Sequence, residues 1–286
     1  MSRPQNDFMD SIIGQKFDVL DNGYLIVVDY MGDEEKIARS ARVSYGDGTT
    51  KKNSDAGLIK RLVRNHHETP IEQACITFEM KLPMFVLGQV IRHRIMSPNV
   101  MSARYSVMPD EFYLPSAERM CRQHETNKQM SSDRLIDNME AAQAGIKLAS
   151  VQCKSTYDAL LTIGLARELA RGVLNQNQYT KMVCTFNMRS LMNFMYLRCA
   201  DDAQWEIRQY ANILCNIVKQ WMPNLWDAFE DYRLNSVTLS GKQIKAYQVQ
   251  GCYGLTYGDM EEFCEKELGM SKGEIRETIE KLDRLK

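Results

Sequence analysis

Arg92-His93-Arg94-Ile95-Met96-Ser97-Pro98-Asn99-Val100-Met101-Ser102-Ala103-Arg104-Tyr105-Ser106 follows neither a helical nor an alternating apolar period. It sets three arginines and a histidine among hydroxyls and an amide, with no carboxylate. Together with the residues up to 117, which hold three prolines, it reads as a long ordered loop. Long loops inside a compact domain are usually functional or disordered. Just upstream, Met84–His93 reads as a helix, so Gln89, Arg92 and His93 would stand at i, i+3, i+4 on one face. Such a face can pair the edge of a planar amide ring and bind a phosphate, because arginine offers a fixed fork of donors.

Outward from that stretch, residues 16–30 predict strand, turn, strand, with Asp21-Asn22-Gly23 as the turn and Tyr24-Leu25-Ile26-Val27-Val28 rich in β-formers. Asp33 caps a predicted helix through Ile37, Ala38 and Ala41. Tyr45–Ser54 is a polar loop, and Leu58, Leu62 and Val63 mark a short amphipathic helix. Ala74–Met80 alternates as a strand does and stops at Pro83. Residues 115–133 are polar and expected to be mobile. Leu135, Met139, Ala142, Ile146, Ala149, Cys153, Tyr157 and Leu160 form one apolar stripe on a long helix that packs in the core or against another subunit. Residues 165–173 read as helix, Tyr179–Phe186 as a strand, Ser190–Leu197 as a helix and Gln204–Trp221 as a helix stopped by Pro223. Ser271-Lys272-Gly273-Glu274 is a capping box opening a last helix.

The chain of 286 residues carries 36 Lys and Arg against 37 Asp and Glu, a net charge of −1. That argues against a surface built to attract nucleic acid or membrane. The near balance conceals a pattern. Met80–Pro109 and Leu169–Ala200 hold eight of the basic residues and none of the acidic ones, so an otherwise acidic chain carries two cationic islands suited to anion pockets. Arg167 and Arg171, and likewise Arg189 and Asn193, stand four apart. There is no Gly-rich phosphate loop and no cluster at metal-ligand spacing; the expected metal complement is none. Of the eight cysteines no two sit at C-x-x-C spacing and none adjoins a histidine, which predicts reduced thiols filling core in a cytosol-like compartment. No apolar run is long enough to span a bilayer, and the expected location is cytoplasmic.

The quoted stretch resembles the signature of the flavin-dependent thymidylate synthases: Arg-His-Arg, seven residues, then Ser. His67-Glu68-Thr69-Pro70, Ala41-Arg42-Val43-Ser44, Asn187–Phe194, Leu197-Arg198 and Ala203-Gln204-Trp205-Glu206 are similar to other family segments in the same order, over roughly residues 16–230. The resemblance implies a mixed α/β (α+β) subunit. A central, mostly antiparallel sheet is flanked by helices, with one long helix and a helical C-terminal extension. It implies an arm at 1–15, a catalytic domain at 16–234 and an extension of unknown role at 235–286. It further implies a homotetramer with sites shared between chains, FAD as cofactor, and dUMP, 5,10-methylenetetrahydrofolate and NADPH as substrates in the formation of dTMP. Arg198 matches the family arginine on the uracil edge and is the expected catalytic residue. Gln89, Arg92, Ser102, Arg104 and Arg171 match further dUMP contacts. Thr69, Arg92, His93, Arg94, Asn187, Arg189 and Asn193 match FAD contacts.

Two positions depart from the family pattern. Val100 stands where a Glu is usual, and Asp202 where a His is common. The loss of a carboxylate at 100 leaves open a changed one-carbon chemistry, such as hydroxymethylation of a pyrimidine nucleotide. A non-catalytic nucleic-acid-binding relative is the remaining alternative, with the net charge against it.

Overall fold

The computed structural model describes residues 5–45, 54–253 and 256–285; most of the polar loop expected at 45–54 lies outside them. The chain divides into two compact units, Met1–Glu230 and Asp231–Lys286.

The first unit is organised by a five-stranded sheet in the order β1-β2-β3-β7-β4, every pairing antiparallel. Strands β1 (Lys16–Val19) and β2 (Gly23–Met31) form the expected hairpin. β3 (Cys75–Pro83) lies between β2 and β7 (Tyr179–Asn187). Alternate residues of these strands, Leu25, Val27, Ile76, Phe78, Met80, Met182, Cys184 and Phe186, are buried, as a period of two requires. Around the sheet lie α1 (Asp7–Ile12), α2 (Glu34–Arg42), α3 (Asp55–Arg64), α4 (Met84–Val90), α5 (Met139–Thr162), α6 (Arg167–Ala170), α7 (Met188–Arg198), α8 (Trp205–Trp221) and α9 (Pro223–Phe229). Asp33 caps α2, accepting from the Lys36 N–H at 2.8 Å. The mixed α+β architecture with a mostly antiparallel sheet is as expected.

Four local expectations need correction. The helix from Met84 ends at Val90 rather than His93, because residues 91–92 turn the chain into the next strand. The long loop contains β4 (Ser97–Val100), paired with β7 from Ser97↔Thr185 to Val100↔Met182; Pro98 tolerates this because β4 is an edge strand. The polar stretch 115–133 contains a 3-10 turn, Ala117–Arg119, and β5 (Cys121–Gln123), which pairs with β6 (Ser131–Leu135). Leu135 therefore belongs to β6, not to the long helix. Pro223 follows the end of α8 at Trp221 as expected, and its fixed φ also opens α9 at the first position.

Close approach fixes Gly23. The Tyr210 hydroxyl donates to the Lys81 carbonyl at 2.6 Å directly beside it. A Cβ on residue 23 would overlap that hydroxyl and lie 2.7 Å from the Val19 carbonyl oxygen and 2.9 Å from that of Lys81. Gly23→Ala is expected to cost about 1–3 kcal/mol, as overpacking against backbone does; a lowered denaturant midpoint checks it.

The second unit is helical: α10 (Gly241–Tyr253), α11 (Tyr257–Lys266) and α12 (Lys272–Asp283). Ala246, Met260, Cys264, Met270, Ile275 and Leu282 form its core. The expected capping box at Ser271 and Glu274 is present.

Candidate functional site

α7 starts where Asn187 ends β7, with Asn187 Oδ1 accepting from the Ser190 N–H at 2.8 Å. It ends at Arg198. The helix therefore carries three of the expected residues, Arg189, Asn193 and Arg198, on a scaffold anchored by Leu191, Phe194 and Met195, all fully buried.

At its far end Arg198 Nε donates to His93 Nε2 at 2.9 Å, and Nη2 donates to the Gln89 carbonyl at 3.3 Å. The Gln89 side chain reaches Gln204. His93 is buried and packs edge-on against Phe194, ring centroids 4.8 Å apart. Burial, then the Arg198 charge, hold its pKa down to about 4. The imidazole is thus neutral near pH 7, and its bare Nε2 fixes the guanidinium. Burial also lowers the Arg198 pKa, while the charge of Asp202 opposes that shift. Two donors of the fork are spent on these bonds, and the rest of a half-buried guanidinium remains for a ligand.

Between pH 6.5 and about 4 the unfolded chain binds a proton at His93 that the folded chain refuses, so stability falls as pH drops through that window. His93→Gln should flatten the dependence by on the order of 2–3 kcal/mol, read from urea midpoints of both proteins across that range.

A second group lies at the start of α7. Arg189 Nε donates to Glu68 Oε2 at 2.7 Å, which brings the 66–70 turn alongside Asn187 and Arg189. That turn borders a cavity of about 640 Å³ lined in part by Ser40, Ser44, Arg61, His67, Thr69 and Gln73. Thr69 and Asn193 are exposed.

A third group forms around α6. Ser102 Oγ accepts from the Arg104 N–H at 3.3 Å. Arg104 Nε lies 3.7 Å from Glu168 Oε2, and Arg171 Nε donates to the Glu168 carbonyl at 3.4 Å. Beneath them Met108, Tyr157 and Ala170 are buried. Among the described residues no hydrogen bond or ion pair links this group to Arg198. Arg92 and Arg94 are exposed. Arg92 does not share a helical face with His93, since α4 ends before both; one side chain turns out and the other in.

Sequence reading missed the acidic partners. Each cationic island takes a carboxylate from outside itself: Glu68 for Arg189, Glu168 for Arg104 and Glu111 for Lys81. It also missed Gln204 and the buried Glu206 beside it, although the Ala203–Glu206 segment was itself a usable signal. Val100 is half-buried at the end of β4, and Asp202 is exposed. Among the described residues no group of three or more His, Cys, Asp or Glu is placed to hold a metal ion. No helix among them is long and apolar enough to cross a membrane.

The model of the thymidylate synthase complementing protein family matches residues 26–224. A flavin-dependent thymidylate synthase of Gluconobacter oxydans is 45% identical over 248 residues, covering 85% of this chain and 82% of its own. The chain belongs to the flavin-dependent thymidylate synthase family. A relative of that name from Thermus thermophilus is 40% identical over 264 residues, 92% of this chain and 94% of its own length. Among solved structures, the UMP/dUMP methylase PolB from Streptomyces cacaoi, bound with 5-Br UMP, is similar. Its TM-score is 0.68 and its identity 29%, over 76% of this chain and 98% of that one. The family match spans all three groups, from Glu68 to Arg198.

Proposed function

We propose that this family member is an FAD-dependent enzyme that reductively methylates dUMP to dTMP, with 5,10-methylenetetrahydrofolate as carbon donor and NADPH as reductant. The observation that carries the reading is the Arg198–His93 pair at 2.9 Å, a fixed cation held by a neutral ring inside the matched segment. Set on the carbonyl edge of a uracil, Arg198 stabilises negative charge that develops on the ring as carbon–carbon bonding proceeds. Such preorganised stabilisation is commonly the largest single contribution to rate. Gln89, beside it, suits the amide edge of the same base. Arg92, Arg104 and Arg171, with the Ser102 hydroxyl, suit a dianionic phosphate, for which charge-assisted bonds are strongest.

The donor chemistry fits FAD as well. Thr69 borders the 640 Å³ cavity. Arg189, which bonds Glu68 of the cavity wall, together with Asn187 and Asn193 of the same strand–helix segment, offers guanidinium and amide groups suited to pyrophosphate, ribose and isoalloxazine edges. His93, Arg92 and Arg94 complete the set. Bound FAD supplies the hydride chemistry between reductant and one-carbon unit, while the protein binds, orients and polarises.

A homotetramer with shared sites is supported by what one chain leaves open. Leu148 and Val151 of α5 are 69% and 58% exposed and Tyr105 is 78% exposed, apolar area that soluble monomers tend to cover. The long helix thus buries only part of its surface within one chain. A cytoplasmic location accords with seven free cysteines among the described residues. No nucleic-acid partner is proposed.

The purified protein is expected to be yellow, to convert dUMP to dTMP with the two co-substrates, and to elute at about four times the 33.0 kDa chain mass. A colourless protein that FAD cannot reconstitute would overturn the reading. A product heavier than dTMP by one oxygen would favour the altered chemistry at Val100.

A further inference from the structure

Cys199 and Cys215 are sixteen residues apart in sequence and meet in the fold, their sulfurs 2.9 Å from each other. Cys199 follows Arg198 directly and caps α7, its N–H donating to the Met195 carbonyl at 2.9 Å. Cys215 lies within α8, which packs against α7. Both are half-buried and both are free thiols. Among the described cysteines theirs is the sulfur–sulfur contact; Cys184 and Cys264 are buried without one.

We propose that Cys199 and Cys215 are a peroxide-reactive dithiol, converted reversibly to a disulfide that tethers the Arg198 end of α7 to α8. The two sulfurs are not equivalent. The hydrogen bond from Cys215 lowers the Cys199 pKa, burial opposes this, and the Arg208 charge assists it. The same hydrogen bond and burial push Cys215 upward. Cys199 is therefore the thiolate that attacks. It takes the terminal oxygen of a hydroperoxide, the O–O bond breaks, and Cys199 becomes a sulfenic acid as the peroxide leaves as alcohol or water. Cys215 then attacks the Cys199 sulfur, the S–O bond breaks, and water departs with the Cys215 proton. Each cycle oxidises two thiols by two electrons and reduces one peroxide; thiol–disulfide exchange with an external dithiol restores both.

Bond formation at about 2.05 Å draws the sulfurs roughly 0.8 Å closer than the 2.9 Å seen here. The neighbouring residue is the one whose hydrogen bonds to His93 and Gln89 set its position. Functional groups tolerate only about half an ångström of displacement, so the disulfide form should turn over more slowly. This consequence rests on the function proposed for Arg198; the cross-link itself does not.

The test treats the full-length flavin-loaded protein with stoichiometric steps of hydrogen peroxide, followed by alkylation and non-reducing peptide mapping. The expected result is a Cys199–Cys215 cross-link, two hydrogens lighter, formed before other cysteines react and reversed by dithiothreitol. In Cys215→Ser, Cys199 should stop at a sulfenic acid trapped by dimedone. Both thiols remaining open to alkylation, or Cys199 passing to sulfinic acid without a cross-link, would overturn the proposal. Turnover should fall about tenfold in step with the cross-link and return on reduction, while Cys199→Ser keeps its rate through the same treatment. An equal loss in Cys199→Ser, or a cross-linked enzyme with unchanged rate, would refute the coupling to Arg198. A reduced protein that makes no dTMP tells instead against the proposed function, and the mapping still reads the dithiol.

Discussion

Arg198→Ala is expected to lower turnover at saturating substrate by roughly 10²–10³-fold, the usual loss when one preorganised donor to a developing anion is removed. Bound flavin should stay near one per chain, because the groups assigned to FAD lie mainly along the first turns of α7 and the 66–70 turn. Arg198→Lys should recover little. An ammonium is a point charge and cannot reproduce a planar fork that bonds His93 Nε2 and the Gln89 carbonyl at once. Steady-state dTMP formation beside the flavin absorbance separates the outcomes. Wild-type-like turnover in the alanine variant would remove Arg198 from the chemistry.

The largest stability effect is expected at Glu206. This carboxylate is 3% exposed. Its Oε1 accepts from Arg119 Nε at 2.9 Å and from the Tyr113 hydroxyl at 3.1 Å, and its Oε2 accepts from Gln204 Nε2 at 2.9 Å. Removing it leaves a guanidinium whose side chain is only 16% exposed without its carboxylate, with the Ser131 hydroxyl still accepting from Nη1. Breaking a buried pair from one side costs about 3–5 kcal/mol, far more than an intact pair contributes. Glu206→Ala should therefore shift the urea midpoint strongly downward, and Glu206→Gln less, since its amide oxygen still accepts. Glu262→Ala, which breaks an exposed pair with Lys266, should leave the midpoint in place. A small shift for Glu206→Ala would mean that water already serves Arg119. Because Gln204 bridges Glu206 to Gln89, a fall in dUMP affinity is also expected, seen as a raised KM with less change in kcat.

Much of the framework was legible in the sequence. Alternation at Ala74–Met80 marks a strand because one face is buried at a period of two, and the β-formers crowded into Tyr24–Val28 and Tyr179–Phe186 mark two more. Asp33 and Ser271 mark helix starts because their side chains satisfy backbone N–H groups that the helix cannot. The strand β4 was not legible. It has no alternation to show, being an exposed edge strand containing Pro98, and its pairing to β7 is a property of a partner some eighty residues away. The end of α4 at Val90 was equally hidden, since Ile91–His93 would continue a helix on propensity alone.

The sequence by itself determined the family, four of the five strands of the central sheet and the identity of the cations that collect near α7. These reside in residue type, local period and the order of motifs along the chain. The tertiary structure alone decided that His93 is neutral beneath Arg198, that Glu206 anchors Arg119, and that Cys199 touches Cys215. Each of those facts depends on burial and on contact between residues far apart in sequence. Desolvation and hydrogen bonding, which set protonation and reactivity, arise only when such residues are brought within about 3 Å of one another.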